Sequence, residues 1–269
     1  MKELTVNYKY FFDSKNGITI EVDNDLSDFT SALLNIGDLE TPTKPIEVLA
    51  VIFDLEGFTA FTRQVDPKFA IPSFISDFFN WLFETIKAEM RVSKTPNRIW
   101  AELPFFSKFL GDGVLFLWRI DTDKIAAIDG TIGAIKLNGL TQEFICNIVA
   151  TLFSICESYQ TFLKERDLKY VDPPTRLRCG IARGDAFPLG TNRDFVGPCI
   201  NIAARLQRFN GLSFAVSAKG IDYNYFDTSY KKHFLKKKVS INGIGDNEII
   251  YIRSDEFDNL PPKNKSLFK

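Results

Sequence analysis

The chain has 269 residues, 45% of them hydrophobic and 25% charged, a composition that is ordinary for a globular protein with a large core. Lysine and arginine number 33 against 34 aspartates and glutamates, which argues against a general nucleic-acid binder because such proteins carry a basic excess. The four cysteines form no CxxC pair and the only histidine is His233, which argues against a zinc site.

The first 45 residues indicate an N-terminal extension that ends in a linker. Two short strand-like segments, 8–12 and 18–22, flank residues 15–17 and are typical of a hairpin. Residues 40–45 read ETPTKP, and their two prolines indicate the linker. The N-terminal residues contain no apolar stretch of signal-peptide length. We therefore expect a cytoplasmic protein that does not enter a membrane.

The main domain is predicted over residues 46–253. Residues 48–53 are continuously apolar and end at Asp54, a pattern typical of a buried strand. Residues 69–90 repeat apolar side chains at helical spacing, which predicts an amphipathic helix with Pro72 in its first turn, where proline is tolerated.

The later elements follow in chain order. They are hairpin strands at 103–110 and 114–118, an irregular or partly helical insertion around 119–137, a helix from about 140 to 167, two strands at 176–182 and 186–189 with Gly184 between them, a helix at 199–209, late strands at 214–217 and 248–253, and a loose C-terminal tail at 254–269. This order, βααββαβ, predicts an α+β fold with a mostly antiparallel sheet flanked by helices.

The first segment with a chemical signature is FDLEGFT, residues 53–59. An aspartate at the end of a buried strand, followed by a glycine turn, places a carboxylate at the edge of a sheet. Free backbone N–H groups beside it suit phosphate oxygens. On its own, however, such an aspartate is more often a cap for the turn.

The second segment is the Gly-Asp-Gly sequence at residues 111–113, between two hydrophobic strands. Gly-Asp-Gly is also a common turn sequence. If the hairpin tip and the end of the first strand meet, Asp54 and Asp112 form a pair of carboxylates. Such a pair binds Mg²⁺ or Mn²⁺, hard ions that prefer oxygen ligands and leave room for substrate phosphates.

Two further segments complete a family pattern: CGIARGDAFPLG at residues 179–190 and RDFVGPCINIAARLQ at residues 193–207. Together, FDLEGFT, KFLGDG, RCGIARG and DFVGPCINIAARL resemble, in order and spacing, the catalytic core of class III adenylate and guanylate cyclases. The resemblance covers roughly residues 46–253. It implies a ferredoxin-like βααββαβ core and the conversion of a nucleoside triphosphate to a 3′,5′-cyclic nucleotide.

The resemblance also implies roles for single residues. Two divalent metal ions, Mn²⁺ or Mg²⁺, would be bound by Asp54 and Asp112. The triphosphate would be held by the backbone of Leu55, Glu56, Gly57 and Phe58 and by the side chain of Arg178. Asn201 and Arg205 would orient the ribose and stabilise the transition state, and their i, i+4 spacing places both on one face of a helix. An N-cap and a surface salt bridge are the structural alternative for this pair.

One position departs from the family pattern. Family members usually carry a late lysine that contacts the triphosphate, and the matching segment, INGIGDNEIIYI at residues 241–252, has none. Lys236, Lys237 or Lys238 could replace it, although a run of lysines more often forms a solvated face.

In the family the site lies at a dimer interface. One protomer supplies the metal aspartates, and the other supplies the base-reading residues and the Asn/Arg pair. This chain carries both halves, which predicts a homodimer with two shared active sites, because twofold symmetry makes the pairing reciprocal.

The identity of the base has two interpretations. Purine-specific members read the base at positions that match Lys108 and Asp194, and this pair implies ATP. The amino-acid sequence of residues 103–118 and 194–207 resembles instead that of the pyrimidine cyclases (PycC) of bacterial Pycsar anti-phage defence. That resemblance implies UTP or CTP as the substrate, and cyclic UMP or cyclic CMP as the activator of a downstream effector.

Three aromatic residues near the motifs, Phe105, Phe106 and Phe195, could narrow the base pocket to a single ring or belong to the core. A third functional alternative is a catalytically silent dimer that binds nucleotide and regulates a partner.

Overall fold

The computed structural model describes residues 8–13, 15, 17–22, 44–63, 66–91, 102–123, 125, 134–166, 169–190, 194–209 and 211–269. The chain divides into two compact units. The smaller unit comprises residues 1–44 and 187–196, and the larger comprises residues 45–186 and 197–269.

The smaller unit contains the predicted N-terminal hairpin, with β1 (Tyr8–Asp13) antiparallel to β2 (Gly17–Val22). It also contains the last residues of β6 (Arg176–Leu189), which pair with β7 (Asp194–Val196). Of the predicted linker, residues 40–43 lie outside the described residues.

The larger unit is built on a sheet with the strand order β4-β5-β3-β6-β8-β10-β9. Every neighbouring pair in this order is antiparallel except β6 and β8, which are parallel. The further strands are β3 (Ile46–Glu56), β4 (Phe106–Phe109), β5 (Val114–Arg119), β8 (Phe214–Ser217), β9 (Phe234–Ile241) and β10 (Gly245–Arg253). This topology confirms the α+β fold with a mostly antiparallel sheet.

The helices are α1 (Phe58–Phe61), α2 (Pro67–Arg91), α3 (Ala134–Lys164), α4 (Pro198–Leu206), α5 (Thr228–Lys231), α6 (Ser254–Asp258) and α7 (Pro262–Lys265). The apolar stripes of α2 and α3 pack on one face of the sheet, where Val51 and Phe53 join Phe78 and Leu152 in the main core. We call this the helical face. Successive strand residues point to opposite faces, and Asp54 therefore belongs to the other face, which we call the α4 face.

The α4 face has a smaller core of its own, in which Leu206 of α4 packs with Ala215, Ile250 and Ile252 of the neighbouring strands. Close contact between α4 and the sheet depends on Gly180 of β6, since a Cβ atom there would overlap the carbonyl oxygen of Ala203. The glycine therefore allows α4 to lie directly on β6, two residues after Arg178.

Two predicted helix boundaries differ from the structure. Helix α2 begins at Pro67, which places Pro72 in the second turn rather than the first. Helix α3 begins at Ala134 and ends at Lys164, and it therefore includes the last part of the predicted irregular insertion.

The two strands predicted on either side of Gly184 are one continuous strand, β6. Gly184 pairs with Val48 within the sheet, and a Cβ atom there would lie 3.3 Å from Cβ of Cys199 in α4. The glycine thus gives room to a helix and does not form a turn.

The C-terminal tail is ordered and not loose as predicted. Residues 254–258 form α6 and residues 262–265 form α7. The ring centroid of Phe268 lies 5.6 Å from that of Phe209 and 5.8 Å from that of Phe257. Lys269 and Lys238 of β9 exchange two backbone hydrogen bonds of 2.8 and 3.0 Å. The tail therefore covers the outer edge of β9.

Within the described part of the chain, the segment Leu137–Lys164 of α3 is long and apolar enough to cross a membrane, with a mean hydropathy of 1.4. Of its apolar window, 72% is buried inside the protein, which is the pattern of a core helix.

Candidate functional site

Asp54 lies near the end of β3, between Phe53 and Leu55, which are buried under the helices. Its side chain points to the α4 face and is 19% exposed. Directly opposite it on β6 is Arg178. Nη2 of Arg178 donates a hydrogen bond to Oδ2 of Asp54, and the two side chains form an ion pair. The predicted metal ligand and the predicted phosphate ligand are thus cross-strand neighbours.

Asp112 lies at the tip of the β4–β5 hairpin, as predicted. The N–H of Leu110 donates to the carbonyl oxygen of Gly113 at 2.9 Å, and Gly111 adopts a left-handed conformation with a φ of 82°. Gly113 is buried, and a Cβ atom there would overlap the carbonyl oxygen of Phe53 and lie 3.5 Å from Oδ1 of Asp54. The hairpin tip therefore lies directly against the end of β3.

The two carboxylates are close enough to influence each other. Burial raises the pKa of Asp112, and the negative charge of Asp54 raises it further, while the charge of Arg178 acts in the opposite direction. A divalent cation between the carboxylates would relieve this repulsion.

The donor set fits Mg²⁺ or Mn²⁺. Asp54 and Asp112 are the two carboxylates at this point that could hold such an ion, and the described residues contain no group of three or more His, Cys, Asp or Glu side chains that could do so. Ions of this kind commonly use one or two carboxylates and fill their other positions with water and substrate phosphates.

The loop after Asp54 has the geometry of a tight strand-to-helix turn. Leu55 is buried, and Gly57 adopts a φ of 92° immediately before α1. Phe58 and Thr59 are the first residues of α1, and their N–H groups therefore have no partner within the helix. Of the backbone predicted to contact the triphosphate, Phe58 is in this position, whereas Leu55 and Glu56 belong to β3 and pair with Leu177 and Arg176 of β6.

A second ion pair beside the site was not foreseen from the sequence. Glu56 lies opposite Arg176, the next pair on the same face of the β3–β6 ladder, with Oε2 of the glutamate 2.7 Å from Nε of the arginine. Asp54 and Glu56 therefore face Arg178 and Arg176 as two adjacent pairs. The signal that could have revealed them is Asp-x-Glu on one strand and Arg-x-Arg on the other.

Asn201 and Arg205 are both exposed on α4, while Ala203 and Leu206 of the same helix are buried. The N-cap of α4 is Gly197, so Asn201 is not the cap. Neither side chain has a hydrogen bond or ion pair with any residue that the structure describes. The capping and salt-bridge alternative for these two residues is therefore wrong within the described chain.

The predicted base-reading residues belong to different units. Lys108 pairs with Leu115, which in turn pairs with Ile52, and Lys108 therefore lies on the same sheet face as Asp54. Asp194 lies in the smaller unit, where its Oδ1 accepts a hydrogen bond of 2.8 Å from the N–H of Phe195.

The three aromatic residues near the motifs differ in burial. Phe195 is buried, Phe106 is half-buried and Phe105 is 41% exposed. A core role therefore suits Phe195, whereas the ring of Phe105 lies at the surface with the guanidinium carbon of Arg119 5.2 Å from its centroid.

The three lysines of β9 do not share one face. Lys236 pairs with Tyr251, a residue of the main core, which places Lys236 on the helical face and Lys238 with it. Lys237 lies on the α4 face, with its Nζ 4.3 Å from the ring centroid of Phe257. Of the three, only Lys237 shares the face of Asp54.

No family model and no curated protein matches the sequence. Solved structures do match. The adenylyl cyclase CyaB from P. aeruginosa has a TM-score of 0.52 and 16% identity, with 80% of this chain and 97% of that chain covered. The chain has the fold of a cyclase catalytic domain.

Two structures of bacterial light-regulated adenylyl cyclases give TM-scores of 0.51 and 0.50 at 15% and 14% identity. They cover 81% and 79% of this chain, which spans about half of theirs (54% and 53%). Within this cyclase fold, the four motif segments occupy the end of β3, the β4–β5 hairpin, β6 and the region of β7 and α4.

Proposed function

We propose that the protein is a nucleotidyl cyclase that converts a nucleoside triphosphate to a 3′,5′-cyclic nucleotide and diphosphate. The observation that supports it most is that Asp54, Asp112 and Arg178 lie together at one end of the central strands, in a chain with the cyclase fold. Two carboxylates and a guanidinium beside the N–H groups that begin α1 suit a metal-bound triphosphate.

In this proposal, Asp54 and Asp112 would hold the divalent ions, which would supply acidification of the ribose 3′-hydroxyl and neutralisation of the triphosphate. Arg178 and the N–H groups at the start of α1 donate hydrogen bonds to the phosphate oxygens. A bond forms between O3′ and the α-phosphorus, the bond to the bridging oxygen breaks, and diphosphate leaves. The hydroxyl proton passes to solvent.

Asn201 and Arg205 complete the site by orienting the ribose and by donating to the charge that develops on the α-phosphoryl group. Their side chains are exposed and have no partner among the described residues of their own chain. We therefore place them in the site of a second copy, in a symmetric homodimer with two shared active sites.

For the base, we propose a pyrimidine, UTP or CTP, and a role as the second-messenger synthase of an anti-phage Pycsar system, in which the product activates a downstream effector. The resemblance of residues 103–118 and 194–207 to the sequences of pyrimidine cyclases supports this proposal. ATP is the second candidate, because Lys108 lies on the face of Asp54 and a lysine at this position implies adenine.

A silent nucleotide-binding dimer is the candidate from another class, and the presence of Asp54, Asp112, Asn201 and Arg205 argues against it. The test is incubation of the purified protein with equimolar ATP, GTP, CTP and UTP and Mn²⁺, followed by mass spectrometry of the products. We expect cyclic UMP or cyclic CMP. A dominant cyclic AMP product would contradict the pyrimidine and defence proposals only, whereas no cyclic product would contradict the cyclase.

A further inference from the structure

The ion pair between Arg178 and Asp54 occupies the position where the proposed function requires a metal ion and a phosphate. Arg178 contacts a carboxylate that would bind the metal, and each of the two side chains is 19% exposed. The proposed function gives both residues other partners. The ion pair and the loaded site would therefore compete for the same carboxylate group of Asp54.

Arg178 has unused donors on this site. A guanidinium carries five N–H groups, and its Nε is buried without a hydrogen-bond partner among the described residues. The side chain is thus bound to the sheet through the carboxylate of Asp54. A phosphate offers several acceptor oxygens in the planar geometry that a guanidinium prefers, and could satisfy donors that one carboxylate oxygen leaves unpaired.

The charges of Asp54, Asp112 and Arg178 favour such an exchange of partners. Two carboxylates and one guanidinium leave a single net negative charge, which is a weak attraction for a divalent cation. Two divalent cations and a fully ionised triphosphate carry equal and opposite charges. A site that binds all of them would therefore keep the net charge of Asp54, Asp112 and Arg178 alone. Metal without nucleotide would instead place positive charge beside Arg178.

We propose that Arg178 is an exchangeable counter-ion, which holds Asp54 until nucleotide arrives and then transfers to the phosphates, making metal binding depend on nucleotide. This inference rests on the proposed function for the identity of the phosphate ligand. Its test is equilibrium binding of Mn²⁺, followed by the electron paramagnetic resonance signal of the free ion, and requires no turnover.

In the wild type, Mn²⁺ should bind weakly alone and much more tightly with a 3′-deoxy nucleoside triphosphate, which cannot cyclise. Both 3′-deoxy-UTP and 3′-deoxy-ATP serve as probes. Arg178→Gln should bind Mn²⁺ without nucleotide on the order of 10-fold more tightly than the wild type, because a repelling charge is lost. Its gain from the analogue should be smaller.

Two further variants identify the cause. Arg178→Lys keeps the charge and should bind nucleotide-free Mn²⁺ as the wild type does. Arg176→Gln removes the neighbouring arginine of the same strand and face, whose partner is Glu56, and should also leave that affinity unchanged. A folded Arg178→Gln protein that binds nucleotide-free Mn²⁺ no more tightly than the wild type would overturn the inference.

Mn²⁺ binding to the wild type alone provides a second test. If the wild type binds Mn²⁺ equally well with and without either analogue, the exchange does not occur. If the protein makes no cyclic nucleotide but Arg178→Gln still shows tighter nucleotide-free binding, the proposed function fails while the competition for Asp54 stands.

Discussion

At the scale of single residues, the site depends on how closely the hairpin tip approaches the end of β3. Gly113 has no side chain, and this allows its backbone to lie against the carbonyl oxygen of Phe53. Gly111, two residues earlier, is required for a different reason, since its φ is 82° and the space around it is open.

This difference predicts unequal effects of two glycine substitutions. Gly113→Ala should destabilise the protein by about 2 kcal/mol or more and displace Asp112, because backbone atoms cannot move aside easily. Gly111→Ala should cost only about 1 kcal/mol, the price of a left-handed conformation. Urea unfolding and Mn²⁺ binding measure both effects. Equal losses in the two variants would show that the close approach of Gly113 does not matter.

The sequence was sufficient to predict that Asp54 lies near the end of a buried strand and that Asp112 lies at a hairpin tip, because each position is set by a local pattern. The pairing of Arg178 with Asp54, and of Arg176 with Glu56, depends on the register between two strands that are more than 100 residues apart in the chain. Register is a property of the assembled sheet, and local pattern could not supply it.

At the scale of elements, a carboxylate of helix α2 forms a cluster of polar contacts with the segment after α3. Oδ2 of Asp77 accepts hydrogen bonds from Nζ of Lys169 at 2.6 Å and from the hydroxyl of Tyr170 at 2.7 Å, and Arg166 lies 3.6 Å away. Burial acts to raise the pKa of Asp77, but these hydrogen bonds and charges outweigh it and lower the pKa.

A lowered pKa in the folded state gives stability that is present above the ordinary pKa of an aspartate and is lost as the pH falls through the folded value. Asp77→Asn should therefore lower the free energy of unfolding by about 1 kcal/mol at neutral pH, and the difference should shrink in acid. Thermal melts at intervals of about one pH unit between pH 3 and pH 7 measure this change in the stability difference.

Glu84→Gln, on the same helix, is the control. Among the residues that the structure describes, Glu84 pairs only with Lys87, at 3.2 Å, and its side chain is 72% exposed. Its loss should therefore change stability little at any pH. A pH-independent effect of Asp77→Asn would contradict the electrostatic account.

Three elements were mispredicted for physical reasons. Gly184 suggested a turn, but its missing side chain makes room for α4. The run of lysines hid β9, in which buried and exposed residues alternate only from Val239 onward. The prolines and lysines of the tail suggested a loose segment, whereas Phe257 and Phe268 attach it to the smaller core.

At the scale of the whole molecule, the proposed homodimer makes two inactive chains complementary. A chain with Asp54→Ala and a chain with Arg205→Ala should each be inactive alone. In a mixed dimer both lesions fall in one site, and the other site is intact. Equal mixing should restore about one quarter of wild-type activity, since half of the dimers are mixed and each has one working site.

The control is the mixture of Asp54→Ala with Asp112→Ala, whose lesions fall on the same half of the site and should give no recovery. Subunit exchange is verified by mass spectrometry of differently tagged chains. Absence of activity in verified Asp54→Ala and Arg205→Ala heterodimers would rule out sites shared across the interface.

The central claim is that Asp54 and Asp112 carry nucleotide cyclisation, and cyclic product formation measured in both variants tests it most directly. Wild type, Asp54→Ala and Asp112→Ala are compared with Mn²⁺ and the preferred triphosphate, with circular dichroism to verify folding. The two variants should fold and make no detectable cyclic nucleotide, because each loses a carboxylate that faces the site. Turnover that persists at the wild-type rate in either folded variant would contradict the account.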